Sequence, residues 1–262
     1  MTEMRAASLC AGVLTLLLAG PAGADSLPAP LESGGEAEVV AVIDGDTLVL
    51  DDGREVRLVG TQAPKLPLGR PGFETWPLAD EARQALEALV LGQRVALGYG
   101  GLRTDRHGRT LAHLFRLADG AWVQGAMLAA GMARVYTFPD NRSMVAEMLA
   151  AEDEARALGL GIWALDWYAV RDPDGLAGAE DSFQLVEGVV LEVAAVRERV
   201  YLNFGVDYRT DFTVVVDEDA LPAFAPEALE ALAGRRVRVR GWIDDYNGPM
   251  IAVTHPEQIE VL

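Results

Sequence analysis

Cysteine and lysine are almost missing from this chain. Among 262 residues, Cys10 is the one cysteine and Lys65 the one lysine. Without a second thiol there is no intrachain disulfide, and no zinc–thiolate site can form from cysteine pairs. Positive charge is also in deficit, with 22 Lys and Arg against 40 Asp and Glu, a net charge of −18. A surface this acidic repels duplex phosphates, which makes the chain a poor general binder of nucleic acid. Long apolar runs are absent apart from residues 6–20. That run follows a short polar start and precedes a small-residue A-x-A site at 22–24, the order of a secretory signal peptide cleaved after Ala24. Cleavage there removes Cys10. The mature chain is expected to be exported (periplasmic or secreted), without a membrane span, and monomeric.

The stretch that organises the rest is residues 41–65, AVIDGDTLVLDDGREVRLVGTQAPK. Apolar runs at 39–43, 47–50 and 56–60 alternate with period two and are joined by Asp- and Gly-rich turns, which predicts a three-stranded antiparallel meander. Asp44, Asp46, Arg57 and Lys65 then gather at its turn ends. Residues 79–91 carry apolar positions at helical spacing, 94–99 and 110–117 read as a strand pair, and 121–130 and 143–158 read as helices. Ser143 is the expected cap of the last helix.

Beyond an acidic stretch at 171–182, three strands, a short helix and two strands follow. Meander, helix and strand pair is the order of a five-stranded oligonucleotide-binding (OB) barrel, and the second half repeats it. The expectation is therefore an α+β chain, mainly β, of two five-stranded OB-type barrels, the first with three packed helices. The divisions are a signal peptide (1–24), a flexible lead-in (25–36), the first barrel (37–170), a linker (171–182) and the second barrel (183–262).

Five blocks carry a family resemblance: IDGDT at 43–47, VRLVGTQAPK at 56–65, RTDRHGRTLAHL at 103–114, GMARVY at 131–136 and GLGIW at 159–163. In this order and spacing they resemble the staphylococcal nuclease (thermonuclease) family. The resemblance implies a Ca²⁺-dependent phosphodiesterase cleaving DNA or RNA, with Asp46 as a metal ligand. It also implies that Arg57 and Arg109 hold phosphate oxygens through forks that keep their charge. Tyr136 and Phe138 match the family's base-stacking aromatics.

Two positions depart from the pattern. Where the family has a second metal-binding aspartate this chain has Gln62, a neutral and weaker calcium ligand. Where the family has a glutamate that helps activate water it has Lys65, which accepts no proton while charged.

Three readings stand open. The site has decayed and the barrel is a phosphate- or nucleic-acid-binding module. Alternatively, Lys65 supplies the metal's charge in fixed form, so that Arg57, Lys65 and Arg109 hold phosphate without calcium. Or a slow calcium-dependent nuclease survives on Asp46 and a water, with Glu74 as a candidate replacement base.

Asp44 and Asp105 read as turn residues, His107 and His113 as loop and strand residues, and Arg103 as a partner for a carboxylate. In the second half, Arg236, Arg238 and Arg240 alternate onto one face, a candidate track for a nucleic-acid backbone. The competing reading is charge balance, since 17 acids face 7 arginines from Asp174 onward. Nucleic acid or a cell-envelope protein is the expected partner.

Overall fold

The fold was analysed in a computed structural model, which describes residues 27–207 and 209–262. The expected signal peptide lies outside the described residues. The first unit runs β1 (Glu32–Asp44), β2 (Thr47–Leu50), β3 (Glu55–Leu58), β4 (Thr61–Gln62), α1 (Ala79–Val90), β5 (Arg94–Tyr99), β6 (Thr110–Arg116), α2 (Val123–Ala129), β7 (Arg134–Val135) and α3 (Val145–Ala157). Five of its strands close into a barrel in the order β1-β2-β3-β6-β5. Closure depends on the length of β1, whose first half pairs with β5 and whose second half pairs with β2.

The alternating residues of the meander, Val39, Leu48, Leu50, Val56 and Leu58, all point into the core. Burial of each such side chain contributes roughly 1.5–3 kcal/mol relative to leaving it exposed. Ala82, Leu86 and Val90 recur every four residues on α1 and join the same core. Asp80 and Glu81 sit in its first turn, where carboxylates favour the helix dipole.

Two expectations are corrected here. The lead-in is partly strand, because β1 already pairs Glu32 with Tyr99. Gly34 permits this, since a Cβ there would lie 2.7 Å from the Tyr99 ring. Ser143 does not cap α3. Its hydroxyl donates to the Gly100 carbonyl at 2.7 Å, and Met144 enters the helix at φ 60° with no side-chain cap.

The second unit comprises β8 (Phe183–Val189), β9 (Glu192–Val196), β10 (Arg199–Asn203), β11 (Thr213–Val216), α4 (Pro226–Glu230), β12 (Arg236–Asp245), β13 (Pro249–Val253) and β14 (Ile259–Val261). The strands form one seven-stranded sheet, β14-β12-β13-β11-β10-β9, with β8 paired to β12. The first strand of the expected second barrel is present as two pieces, β8 paired with β12 and β9 paired with β10. β8 and β9 are separate because the backbone changes partners between them. The Val190 N–H donates to Arg235 O and the Leu191 N–H to Asn203 O. From β10 to β12 the neighbour order nonetheless repeats that of the first unit.

The units meet along the outer face of β12. Its Arg240 reaches Glu152 on α3, with Nη2 2.9 Å from Oε1 and Nη1 3.2 Å from Oε2. Nη2 also lies 2.6 Å from Glu260. Arg142 forks onto Glu257, and the Arg134 guanidinium donates to the Phe183 carbonyl at 3.0 Å. His255 Nε2 lies 2.7 Å from the Thr137 hydroxyl in a fully enclosed contact.

Burial pushes His255 down to about 4, and the buried His113 of the first unit likewise to about 4. Both are neutral when folded, so the unfolded chain takes up these protons first. Their contribution to stability is therefore whole above pH 6.5, falls as pH drops towards 4, and is flat below that. A Tm measured against pH should decline over this window, and His113→Gln with His255→Gln should flatten the decline. An unchanged pH profile in the double variant would refute the assignment.

Candidate functional site

The site is built where β1 turns into β2. Asp44, Gly45 and Asp46 make the turn, and the Asp46 N–H donates back to Asp44 Oδ1 at 3.0 Å. A Cβ at position 45 would lie 2.6 Å from the Ala63 Cβ and 2.8 Å from the Ala82 Cβ. Only glycine lets the turn sink between α1 and the loop after β4, and that depth brings both aspartates under Lys65. Gly45→Ala should therefore destabilise the fold by about 1–3 kcal/mol through overpacking. A chemical denaturation curve with an unchanged midpoint would contradict this close packing.

Asp46 is completely buried and fully bonded. The Lys65 ammonium lies 2.7 Å from Oδ1 and 2.6 Å from Oδ2. The Arg57 guanidinium pairs with Oδ1, the Ala63 N–H donates to Oδ2 at 2.7 Å, and the Thr47 hydroxyl donates to Oδ1 at 3.2 Å. Arg57 also donates to the Thr61 carbonyl at 3.0 Å, and Lys65 stands 3.5 Å from Asp44.

Burial alone would raise the Asp46 pKa, but the Arg57 and Lys65 charges override it and hold the carboxyl well below its usual range. Asp44 goes the other way, raised by burial and by the Asp46 charge against the opposing pull of Lys65. With both acids ionised, two carboxylates and two cations form an internally neutral cluster.

The remaining expected site residues are held elsewhere. The Gln62 carbonyl accepts two bonds from Arg134, at 2.9 and 2.7 Å, so it faces a buried guanidinium. Arg134 sits among the rings of Phe183, Tyr168 and Trp76, its carbon 4.6, 5.8 and 5.9 Å from their centroids. Burial lowers its pKa to about 10, which leaves it a cation at neutral pH.

Arg109 lies one step before Thr110, which pairs with Val56 in the parallel β3–β6 ladder, and its fork is closed on Asp105 at 2.8 and 2.7 Å. Asp105 does shape the hairpin loop, accepting the His107 and Arg109 N–H groups, while Arg103 pairs with Glu32. Glu74 is exposed in the loop before α1.

Calcium needs several free oxygen ligands. Here both Asp46 oxygens are bonded to an ammonium, and the Gln62 oxygen is bonded to a guanidinium. Among the described residues no group of three or more His, Cys, Asp or Glu could hold a metal ion. The donor set does not fit the ion.

Tyr136 and Phe138 follow β7 and stand edge to face, 4.9 Å apart. Phe183 of the second unit packs on Tyr136 at 5.0 Å, and the Trp242 indole N–H donates to the Tyr136 hydroxyl at 3.0 Å. The expected arginine track on β12 is corrected. Arg236, Arg238 and Arg240 do share a face, but Glu187 pairs with Arg236 and Arg238, Asp153 with Arg238, and Glu152 and Glu260 with Arg240. Arg240 is only 1% exposed, because α3 of the first unit covers that face.

Sequence reasoning missed Arg134 and Glu152 as organising groups. Arg134 stood in view inside GMARVY, but its partner lies 72 positions away.

Comparison with known proteins gives one family and several relatives. The model of the staphylococcal nuclease homologue family matches residues 55–165. Protein ParB of Escherichia coli is 35% identical over 164 residues, which is 59% of this chain and 81% of that protein. The thermonuclease of Staphylococcus intermedius is 33% identical over 133 residues, covering 49% of this chain and 77% of the enzyme. That of Staphylococcus hyicus is 30% identical over 130 residues, covering 48% and 75%.

Proposed function

Because this chain belongs to the staphylococcal nuclease family, as a divergent member, we propose that a closed ion cluster stands where the family's metal centre would be. In this reading the chain binds nucleic acid or phosphate and is not an efficient nuclease. The observation that carries it is the Lys65 ammonium within 2.7 Å of both Asp46 oxygens. Those are the oxygens a divalent ion would need.

The same bonds leave neither Lys65 nor Asp46 free to act as a general base. Lys65 is a charged donor, and Asp46, held ionised far below its usual range, is too weak a base to deprotonate water at neutral pH. Arg57 is committed to Asp46 and Thr61, and Arg109 to Asp105, so neither of these two forks stands open to a phosphate.

Export and a cell-envelope partner belong to this reading through the first 24 residues, which match a signal peptide in pattern. Among the described residues no helix is long and apolar enough to cross a membrane.

The test is hydrolysis of single-stranded DNA and RNA by the purified chain, with Ca²⁺ and with chelator. An Arg109→Ala protein exposes any contaminating nuclease. The expected result is no Arg109-dependent cleavage under either condition. Calcium-dependent cleavage that disappears in the variant would overturn the proposal and establish a working, if slow, calcium phosphodiesterase. Cleavage that survives chelation yet needs Arg109 would overturn it in favour of a metal-free site.

A further inference from the structure

We propose that the open edge of β9 docks an extended segment of a partner polypeptide, which adds to the sheet as a further strand. The segment it fits has alternating apolar residues flanked by Lys or Arg. The Asp46 cluster takes no part in this docking, and the hydrolysis test does not bear on it.

β9 ends the sheet and pairs with β10 alone among the described residues. The other edges are short or occupied. β14 has three residues, and Arg171 lies along β8, its N–H donating to Leu185 O and its carbonyl accepting from the Glu187 N–H. β9 carries neither Pro nor Lys, the residues that commonly guard an edge against a further strand.

The first unit shows why this edge is open. β1 and the β8–β9 pair each change partners at a valine: Val39 bonds to Gln93 and Gly92, and Val190 to Arg235 and Gly234. Beyond Val39 the twelve-residue α1 packs on the strand's end, where Ala82 meets the buried Gly45 turn. Its counterpart α4 has five residues, and the β9–β10 turn at Arg197 and Glu198 is exposed.

The backbone of β9 is turned for pairing. The Leu191 N–H donates to Asn203 O and the Phe204 N–H to Phe212 O, so residues 199, 201 and 203 of β10 face β9. Across that register Ala194 and Val196 bond to β10, and Val193 and Ala195 point their N–H and C=O groups to the open edge. Leu191 and Val196, each 52% exposed, offer apolar contact at the two ends.

Charge selects the occupant. A cleft at the start of β9 holds Leu191 and Val189 beside three carboxylates, Asp172, Asp174 and Glu187, against Arg236. A cleft at its other end holds Val196 beside Glu198, Asp217, Glu218 and Asp219, against Arg197 and Arg199. Carboxylates outnumber guanidiniums at both ends, which suits a segment with a cation at each end. A second copy is disfavoured, because antiparallel pairing of two β9 edges would set one acidic cleft against the other in chains of net charge −18.

The experiment is fluorescence anisotropy of three labelled peptides with the purified chain. One has a short stretch of alternating valine and threonine between pairs of lysines. The second has glutamates in place of the lysines. The third is the lysine peptide with every amide of its central stretch N-methylated, so that it cannot join a sheet. The lysine peptide should bind, more weakly as salt rises, and the other two should bind at least about tenfold more weakly.

Ala195→Pro removes an N–H that faces solvent, a change an edge strand tolerates. It should weaken the lysine peptide by roughly 2- to 12-fold, the net worth of one backbone hydrogen bond. Glu192→Lys combined with Glu198→Lys, both at exposed positions, should move the preference to the glutamate peptide, and it covers a proline variant that fails to fold.

Lysine-peptide binding that N-methylation and Ala195→Pro leave unchanged would be charge attraction without strand addition and would overturn the proposal. So would absence of lysine-peptide binding. A dimer in sedimentation that Ala195→Pro dissolves would put a second copy on the edge and overturn the choice of partner.

Discussion

Arg240→Ala should cost the protein about 3–5 kcal/mol of stability, the usual consequence of removing one partner from a buried ion pair. Arg240 and Glu152 are among the most enclosed side chains described, at 1% and 0% exposure. Glu152 keeps its charge only because its partners are there. Burial pushes its pKa up, and Arg240 foremost pulls it down again. Its Oε2 also accepts the Val135 N–H of β7, so the same carboxylate ties α3, β7 and the second unit together.

Without the guanidinium, Glu152 retains Arg156 and the Val135 amide but loses both bonds from Arg240. Glu260 loses a partner as well. For a chain of this size the expected loss corresponds to a Tm drop of roughly 6–20 °C. A calorimetric shift within about 2 °C would mean that the pair contributes no more than a surface salt bridge. The companion variant Glu152→Gln should be destabilising too, since it leaves the buried Arg240 with Glu260 alone as its carboxylate partner.

Asp46→Ala should be similarly severe, and its sign separates two views of the site. Where a carboxylate is held ready for a metal, its removal relieves repulsion and commonly stabilises the fold. Here it would strip Arg57 and Lys65, both largely buried, of their shared counter-ion and leave the Ala63 N–H unsatisfied. The expected loss is about 3–5 kcal/mol.

Lys65→Met in the Asp46→Ala background should recover part of it, because the stranded ammonium is gone, and a double-mutant cycle reads that coupling directly. The linkage sign agrees. The Asp46 carboxyl is depressed when folded, so its stabilisation is present above the ordinary carboxylate value of 3.8 and is lost as pH falls through the lower folded value. Stabilisation by Asp46→Ala would refute the closed-cluster reading.

Much of this protein was legible in the chain itself. Period-two runs around Gly45 and Gly53 determined the meander, and the 3.6-residue spacing of Ala82, Leu86 and Val90 determined α1 and its buried face. These patterns are local, and burial of one face enforces them whatever lies opposite. The five blocks also placed the chain in its family. Alternation correctly set Arg236, Arg238 and Arg240 on one side of β12.

What alternation cannot state is what covers that side, and the cover is α3, more than 80 positions earlier. Likewise the residue types at 46, 62 and 65 were plain, but not their bonds. Whether an ammonium near a carboxylate faces a phosphate or closes on that carboxylate depends on ångström-scale placement. The depth of the Gly45 turn and the loop after β4 set that placement. Gln62 turns to Arg134 because the second unit's Phe183 carbonyl and ring fix that guanidinium beside it. Charge pairing in a chain with 40 acids and 22 bases has many local solutions, and only the packed tertiary structure selects one.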